Sequence, residues 1–130
     1  MNNYFVILAA GKGKRFSKYK PKQFYNYKNK DIIEHSIEKS IKSGLFNKTI
    51  VVCNNKNHFK NKWYSKLIRI INGGKERSDS SLLALKYIKK FKPKNVLIHD
   101  AARPNFSIKL LDNLINNLRK NVAVIPVVRT

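Results

Sequence analysis

The sequence predicts an α/β protein with a mainly parallel sheet that is covered by helices on both faces. Two observations carry this prediction. Short apolar segments rich in β-branched residues alternate with segments whose apolar residues recur every three to four positions. Strands and helices that alternate in this way form a parallel sheet, because each connecting helix packs back onto the sheet. The 130 residues fit a single domain, and an apolar share of 42% is enough for a packed core.

The predicted elements follow in the order that this fold requires. The first strand, Tyr4–Ala10, is nearly all apolar, which is typical of a central parallel strand buried on both faces. A basic loop over 11–27 leads to a helix that starts at Asp31, because its isoleucines recur at helical spacing, and that stops near Gly44. The later elements are predicted as strands at Thr49–Cys53, Leu67–Ile71, Asn95–His99 and Val122–Val128, a short helix at Asn57–Tyr64, and helices at Ser81–Phe91 and Ser107–Lys120.

The later helices and the single cysteine carry more specific predictions. Leu82, Leu85 and Ile88 fall on one stripe, which predicts the buried face of their helix. Ser107 stands before the last helix and is a residue type that caps helix N-termini. Cys53 lies inside a predicted strand and is expected to be a small core residue.

Composition excludes several classes of protein. One cysteine allows neither an internal disulfide framework nor a Cys-based zinc site, and spacing shows no cluster of His and Cys ligands. The apolar run at the start has seven residues, whereas a membrane span needs about 20. No secretory signal is predicted either. We therefore expect a soluble, cytoplasmic protein with no membrane partner.

The net charge of +21 leaves two interpretations open. Lys and Arg neutralise phosphates, so the charge is compatible with a basic nucleic-acid-binding module. However, most of the 28 basic residues are lysines, spread along the chain beside many Asn and Ile residues that share A/T-rich codons. In this interpretation the excess of lysine reflects the base composition of the genome, and nucleic acid is not the expected partner. With either origin, the positive field attracts anionic substrates.

Three loops at the carboxyl ends of predicted strands carry the candidate chemistry, since open α/β sheets bind ligands there. The first, Gly11–Arg15, is neither a P-loop nor a dinucleotide fingerprint. Its glycines let backbone N–H groups approach phosphate oxygens, and Arg15 and Lys22 can add charge-assisted hydrogen bonds, which suits a triphosphate. The alternative is a strand-to-helix turn with solvated lysines.

The second loop, Gly73–Ser80, follows the third predicted strand. Gly73 and Gly74 free the backbone for close approach, and Ser78, Asp79 or Ser80 can cap the next helix, whose N-terminus favours anionic groups. The alternative is an ordinary capped helix.

The third loop, Asp100–Pro104, places a carboxylate just past a buried strand. From there Asp100 can hold Mg²⁺ that bridges phosphates, and Arg103 can bind a second anionic group. The alternative is an internal Asp–Arg pair that holds the loop shape. His99 is expected to pack against the sheet rather than to act in catalysis.

Four motifs in this order resemble one enzyme family. Leu8–Arg15, Pro21–Gln23, Gly73–Ser80 and His99–Pro104 resemble the 2-C-methyl-D-erythritol 4-phosphate cytidylyltransferases of the non-mevalonate isoprenoid pathway. The ribitol-5-phosphate cytidylyltransferases look much alike over this stretch and remain the alternative. The resemblance implies a Rossmann-like nucleotidyltransferase (GT-A-like) fold and an Mg²⁺-dependent transfer of CMP from CTP to a polyol phosphate, with release of pyrophosphate.

The resemblance also implies roles for individual residues. Arg15 and Lys22 would be catalytic, stabilising the transition state. Asp100 would meet the metal and the ribose, while Arg103 and Thr130 would contact the polyol phosphate. The nucleotide would be bound by Ala9, Ala10, Gly11, Gly13, Arg15, Lys22, Gly73, Gly74, Ser80, Asp100 and Ala101.

The sequence departs from the family pattern at two places. Lys75 stands where an acidic residue is expected after the two glycines. The sequence also stops after the fifth predicted strand, so residues 1–130 are expected to be the N-terminal part of a nucleotidyltransferase domain that lacks the family's β-arm and C-terminal strands. The arm builds the homodimer of the full-length family. We therefore expect this chain to bind CTP weakly, to turn over poorly and not to form that dimer.

Overall fold

The computed structural model describes residues 2–10 and 22–124, and its centre is a four-stranded parallel sheet. The strand order is β5-β4-β1-β6, and a separate two-stranded antiparallel hairpin is formed by β2 and β3. Two 3₁₀ helices, Lys22–Phe24 and Lys56–Phe59, lie in the connections. The elements are β1 (Asn3–Leu8), β2 (Asn26–Tyr27), β3 (Lys30–Asp31), α1 (Ile32–Ser43), β4 (Lys48–Val52), β5 (Ile68–Ile71), α2 (Arg77–Lys89), β6 (Asn95–Asp100) and α3 (Ile108–Leu118).

The helices cover both faces of the sheet, as the sequence predicts. All six residues of β1 are buried, because the strand lies between β4 and β6 and is covered above and below. On one face Phe5 and Ile7 pack with residues of α1 and α3, and on the other Tyr4, Val6 and Leu8 pack with α2. The near-continuous apolar run of β1 follows from this double burial.

Helix α1 confirms the prediction made from its isoleucines. Ile33 and Ile37 are fully buried against the sheet. Asp31 occupies the N-cap position, and Gly44 ends the helix with φ 68°, in the left-handed region that glycine adopts at low cost. The last helix, α3, is capped as predicted, because the Ser107 side chain accepts a hydrogen bond from the backbone N–H of Leu110.

Helix α2 corrects the prediction in two respects. It begins at Arg77, four residues before the predicted start at Ser81. Its buried residues are Ser80, Ala84 and Ile88, whereas Leu82 and Leu85 of the predicted stripe are 52% and 41% exposed. The helix lies against β1 and β4 through its small side chains, which leaves the larger leucines outside.

The remaining differences concern the connections. The predicted short helix at Asn57–Tyr64 is a 3₁₀ helix at Lys56–Phe59, and the hairpin of β2 and β3 was not predicted. Of the predicted fifth strand, the structure describes residues 122–124, which have no strand structure, and the rest lies outside the described residues. Among the described residues, the helices are all too short or too polar to cross a membrane.

Candidate functional site

The sheet topology defines where a ligand can bind. From β1 the chain builds outward through β4 and β5, and then returns to place β6 on the other side of β1. A crevice opens at such a switch point, beyond the carboxyl ends of the strands. Here Leu8 pairs with Asp100, and the N–H of Ala101 donates to the Leu8 carbonyl at 3.0 Å. The ends of β1 and β6 are therefore fixed side by side at the centre of this edge.

The second predicted loop packs directly against the end of β1. A Cβ added to Gly73 would lie 2.2 Å from the Cβ of Ala10 and 2.7 Å from Ser80 Oγ, so no larger residue fits without movement. The backbone N–H of Gly74 donates to Ser80 Oγ at 3.1 Å. Glycine at position 73 thus permits the close approach of the second loop to Ala10, which is distant in sequence.

The cap of α2 differs from the sequence prediction. The N-cap is Glu76, and Asp79 accepts a hydrogen bond from its backbone N–H at 3.2 Å, in the manner of a capping box. Ser78 lies inside the helix, and Ser80 Oγ is engaged with Gly74. None of the three predicted residues is therefore the N-cap, because the helix starts before them.

Asp100 lies between two arginines. Its Oδ1 is 2.9 Å from Arg77 Nε, and its Oδ2 is 3.9 Å from Arg103 Nε. The second contact is the Asp–Arg pair that the sequence left open as an alternative. Sequence reasoning gave Arg77 no role, although it lies in the quoted Gly73–Ser80 motif. The signal that identifies it is a cation at the start of a helix whose N-terminus faces the same edge as Asp100.

Predicted site residues line two cavities, and Asp100 lines the first of them. The first, of about 200 Å³, is lined by Asp100 and Arg77, by Leu8 and Ala10 at the end of β1, and by Gly74, Lys75, Glu76 and Ser80 of the second loop. The second, of about 400 Å³, is lined by Lys22 and Arg103 with Tyr27, Ile32, Ala102, Pro104 and Asn105. Sequence reasoning missed Tyr27 and Asn105, which carry no motif and enter the cavity through the unpredicted hairpin and the turn after β6.

Lys22 is held next to the sheet by its neighbour. Gln23 is buried, and its Nε2 donates to the Ala9 carbonyl at 3.1 Å. This bond joins the first 3₁₀ helix to the chain just after β1. The backbone beside Lys22 is therefore tied to Ala9, a predicted nucleotide-binding residue.

The turn after β6 is held by three side chains from different elements. His99 Nε2 lies 2.7 Å from the Arg103 carbonyl, Lys39 Nζ donates to the Pro104 carbonyl at 2.5 Å, and the Tyr27 hydroxyl donates to Asn105 Oδ1 at 3.4 Å. Burial lowers the pKa of His99, which favours the neutral imidazole as the donor to Arg103. Its ring stacks on Phe5 of β1, with ring centroids 5.9 Å apart, and also contacts Phe106, so His99 packs against the sheet as predicted.

The donor set of the first cavity fits a magnesium ion. Asp100 and Glu76 are carboxylates among its lining residues. Mg²⁺ in nucleotide sites is bound by one or two carboxylates together with substrate phosphates, and it keeps several waters. Asp100 is the last residue of β6, at the edge of the sheet where a phosphate-bridging ion is expected, rather than just past the strand as predicted.

The structure brings together part of the predicted site. Ala10, Gly74, Ser80 and Asp100 line one cavity, and Lys22 and Arg103 line the other. Ala9, Gly73 and Ala101 lie in the adjoining backbone. Four predicted residues lie outside the described residues: Gly11, Gly13, Arg15 and Thr130.

Comparison with known proteins connects this arrangement to one family. The model of the family described as 2-C-methyl-D-erythritol 4-phosphate cytidylyltransferase matches residues 4–130. The chain belongs to this family. The resemblance read from the four motifs is thereby confirmed.

Curated relatives in the family are considerably longer than this chain. A protein of Pelagibacter ubique (strain HTCC1062) named bifunctional enzyme IspD/IspF is 51% identical over 131 residues, which cover 100% of this chain and 35% of the relative. A 2-C-methyl-D-erythritol 4-phosphate cytidylyltransferase of Thermosipho melanesiensis is 38% identical, covering 97% of this chain and 58% of that protein. The chain thus spans between 35% and 58% of the length of these two relatives.

Solved structures of the family share the fold. The bifunctional IspDF of Campylobacter jejuni aligns with a TM-score of 0.78 at 30% identity, covering 92% of this chain and 31% of that one. The 2-C-methyl-D-erythritol 4-phosphate cytidylyltransferase of Francisella tularensis aligns with a TM-score of 0.73 at 33% identity, covering 93% and 54%. The predicted parallel α/β nucleotidyltransferase fold is therefore confirmed.

Proposed function

We propose that this chain carries the CTP-binding part of a cytidylyltransferase that transfers CMP to 2-C-methyl-D-erythritol 4-phosphate and releases pyrophosphate. The observation that supports this most directly is the arrangement around Asp100. Asp100 lines a small cavity together with Gly74 and Ser80, and its contact partner Arg103 lines a second cavity together with Lys22. Family membership supports the same reaction.

The two cavities suit the two substrates. In the proposed reaction, an oxygen of the polyol phosphate attacks the α-phosphorus of CTP in line, and pyrophosphate leaves. Such a transfer depends on positioning and on stabilising charge at the phosphoryl oxygens. The cavity beside Gly74 and Ser80 offers hydrogen-bonding groups for the nucleotide. The cavity that contains Lys22 and Arg103 offers positive charge for the acceptor phosphate.

Individual residues take the following proposed roles. Lys22 stabilises negative charge as the phosphoryl group moves, and Arg103 orients the acceptor phosphate. Asp100 holds Mg²⁺, which supplies positive charge at the phosphate oxygens when bound. Arg15 keeps the catalytic role, and Thr130 the acceptor-binding role, that the resemblance assigns to them. Gly11 and Gly13 contact the nucleotide.

Two further expectations accompany this proposal. A substrate set of CTP and Mg²⁺ fits a cytoplasmic enzyme, where both are available. A homodimer is proposed for the full-length proteins of the family.

Calorimetric titration and a pyrophosphate-release assay test the proposal on this chain. We expect saturable CTP binding that requires Mg²⁺, and it should be weakened in Lys22→Ala. Lys94→Ala is the matched control, because Lys94 is an exposed lysine just before β6, at the opposite edge of the sheet. The release assay, run with 2-C-methyl-D-erythritol 4-phosphate and with ribitol 5-phosphate, identifies the acceptor.

The absence of any Mg²⁺-dependent CTP binding would refute the proposal. A gel shift with random duplex DNA at several salt concentrations then tests the alternative. Strong, salt-sensitive DNA binding without CTP binding would favour a basic nucleic-acid-binding module.

A further inference from the structure

A second group of polar side chains converges away from the two cavities. Asp31, Glu34 and His58 each offer one ligand atom, and these atoms all lie within 4.8 Å of one another. Asp31 and Glu34 are at the start of α1, and His58 comes from the second 3₁₀ helix, more than twenty residues later. None of the three lines either cavity. The cluster is therefore distinct from the candidate nucleotide site.

The side chain of Asp31 does not cap α1, although the residue occupies the N-cap position. It is the N-cap residue of α1, where an aspartate normally accepts hydrogen bonds from the first turn. Its side chain makes no such bond and instead places Oδ2 2.7 Å from His58 Nε2. That nitrogen is buried, and its contact with Asp31 lacks the angle of a regular hydrogen bond. The carboxylate and the imidazole therefore lie in direct contact, with ligand atoms that face each other.

The other side of the cluster is buried. Glu34 is 9% exposed and contacts Lys62 Nζ through Oε1 at 3.0 Å. Tyr64 is fully buried beside the cluster. Burial raises the pKa of Tyr64, and the charges of Glu34 and Asp31 and a side-chain hydrogen bond with Glu34 raise it further. A cation in the cluster would offset the cost of burying these acidic groups close together.

Carboxylates are concentrated around the cluster, although the protein as a whole is strongly basic. The chain has seven acidic residues against 28 basic ones. Two of the seven are in the cluster, and a third, Glu38, lies one helical turn beyond Glu34 and is paired with Lys30. This concentration of carboxylates makes the cluster favourable for a cation even in a strongly basic protein.

We propose that Asp31, Glu34 and His58 bind one divalent transition-metal ion of the zinc class. One imidazole nitrogen with two carboxylate oxygens is a donor set that suits Zn²⁺ rather than Mg²⁺. Donors around tetrahedral zinc lie about 3.3 Å apart, so small side-chain rotations bring the three atoms into range. A fourth position is left for a water molecule, to which the Tyr64 hydroxyl can hydrogen-bond.

Such an ion would hold together elements that carry few regular hydrogen bonds. It would join the second 3₁₀ helix to the first turn of α1. The ring of His58 also packs on Phe24, with ring centroids 4.2 Å apart, and Phe24 ends the 3₁₀ helix that begins at Lys22. The metal would thus support the position of Lys22, although the binding of the ion does not depend on the proposed enzyme activity.

Zinc binding by the purified chain tests this proposal. After treatment with EDTA and dialysis, Zn²⁺ is titrated in competition with a chromophoric chelator, and Co²⁺ is added separately to record visible absorption. We expect one Zn²⁺ per chain, and affinity about tenfold lower or worse in His58→Gln and in Glu34→Gln, because each loses a ligand. His35→Gln is the matched control, since His35 is a half-buried histidine that contacts the Tyr27 carbonyl outside the cluster.

Thermal unfolding separates loss of a ligand from loss of the fold. Zn²⁺ should raise the unfolding midpoint of the wild type and of His35→Gln, but not that of His58→Gln or Glu34→Gln. Circular dichroism in EDTA identifies the variants that remain folded, and Asp31→Asn replaces any that does not. Weak binding at several sites, or stoichiometric binding that these substitutions leave unchanged, overturns the proposal.

Discussion

The glycine at position 73 allows a direct test of how the candidate site is built. Replacing Gly73 with Ala adds one Cβ, which would lie 2.2 Å from the Cβ of Ala10, 2.7 Å from Ser80 Oγ and 3.1 Å from Val52 Cγ1. All three distances are shorter than the 3.4 Å at which ordinary van der Waals contact begins. Gly73 does not have a positive φ, so the difficulty is one of space alone.

The expected cost follows from this crowding. Extra atoms in a packed region typically cost about 1–3 kcal/mol, because neighbouring side chains and backbone must shift. Two of the crowded residues, Ala10 and Ser80, line the first cavity. We therefore expect Gly73→Ala to lower the free energy of unfolding by about 1–3 kcal/mol. The same shift should weaken CTP binding by about tenfold, which corresponds to about 1.4 kcal/mol.

Gly44→Ala is the matched control for this experiment. Nothing lies within 4 Å of a Cβ at Gly44, but its φ of 68° is strained for alanine, at a cost of about 1–2 kcal/mol. Urea denaturation should show a loss of stability in both variants. Calorimetry with CTP and Mg²⁺ should show weaker binding in Gly73→Ala only. If Gly73→Ala matched the wild type in both measurements, the close approach of Gly73 to Ala10 would be wrong.

Three other outcomes are expected. Asp100→Asn removes the exposed ion pair with Arg77, so the free energy of unfolding should change by less than about 1 kcal/mol. Calorimetry should show that Mg²⁺ no longer promotes CTP binding by this variant. If Mg²⁺ still promotes it, the assignment of Asp100 as a metal ligand is wrong. Ile37→Ala, at a fully buried position, should lower the free energy of unfolding in urea by about 2–5 kcal/mol, and a much smaller loss contradicts the core described. Burial raises the pKa of the Cys53 thiol, so iodoacetamide should alkylate the folded chain far more slowly than the urea-unfolded chain, and equal rates contradict its burial.

The strands of the sheet could be predicted because their chemistry is uniform. Residues of β1 and β4 are buried on both faces, so the sequence there shows continuous apolar runs. Helix α1 could be predicted because its isoleucines follow the helical repeat and Gly44 ends it. For each of these elements one local sequence pattern was sufficient to predict the structure, because the buried positions in the fold agree with that pattern.

Other elements depend on contacts that no local pattern reveals. The hairpin of β2 and β3 turns through Lys28 and Asn29, both with positive φ, as a type I′ turn requires. The usual Asn-Gly signal is absent there, so the turn was not predicted. In α2 the leucines indicated the wrong face, because close packing on the sheet selects small residues such as Ser80 and Ala84.

The candidate site shows the same division between local and distant information. The glycine loops and Asp100 could be predicted because the carboxyl ends of parallel strands meet at one edge, whatever their separation in sequence. The same rule does not predict the contact between Arg77 and Asp100, which forms because α2 starts four residues earlier than its apolar residues indicate. It also does not predict the contact between His58 and Asp31, because His58 lies in a connection outside the strands. Partners of this kind depend on where a helix starts or where a loop crosses, and these are properties that the linear pattern specifies least.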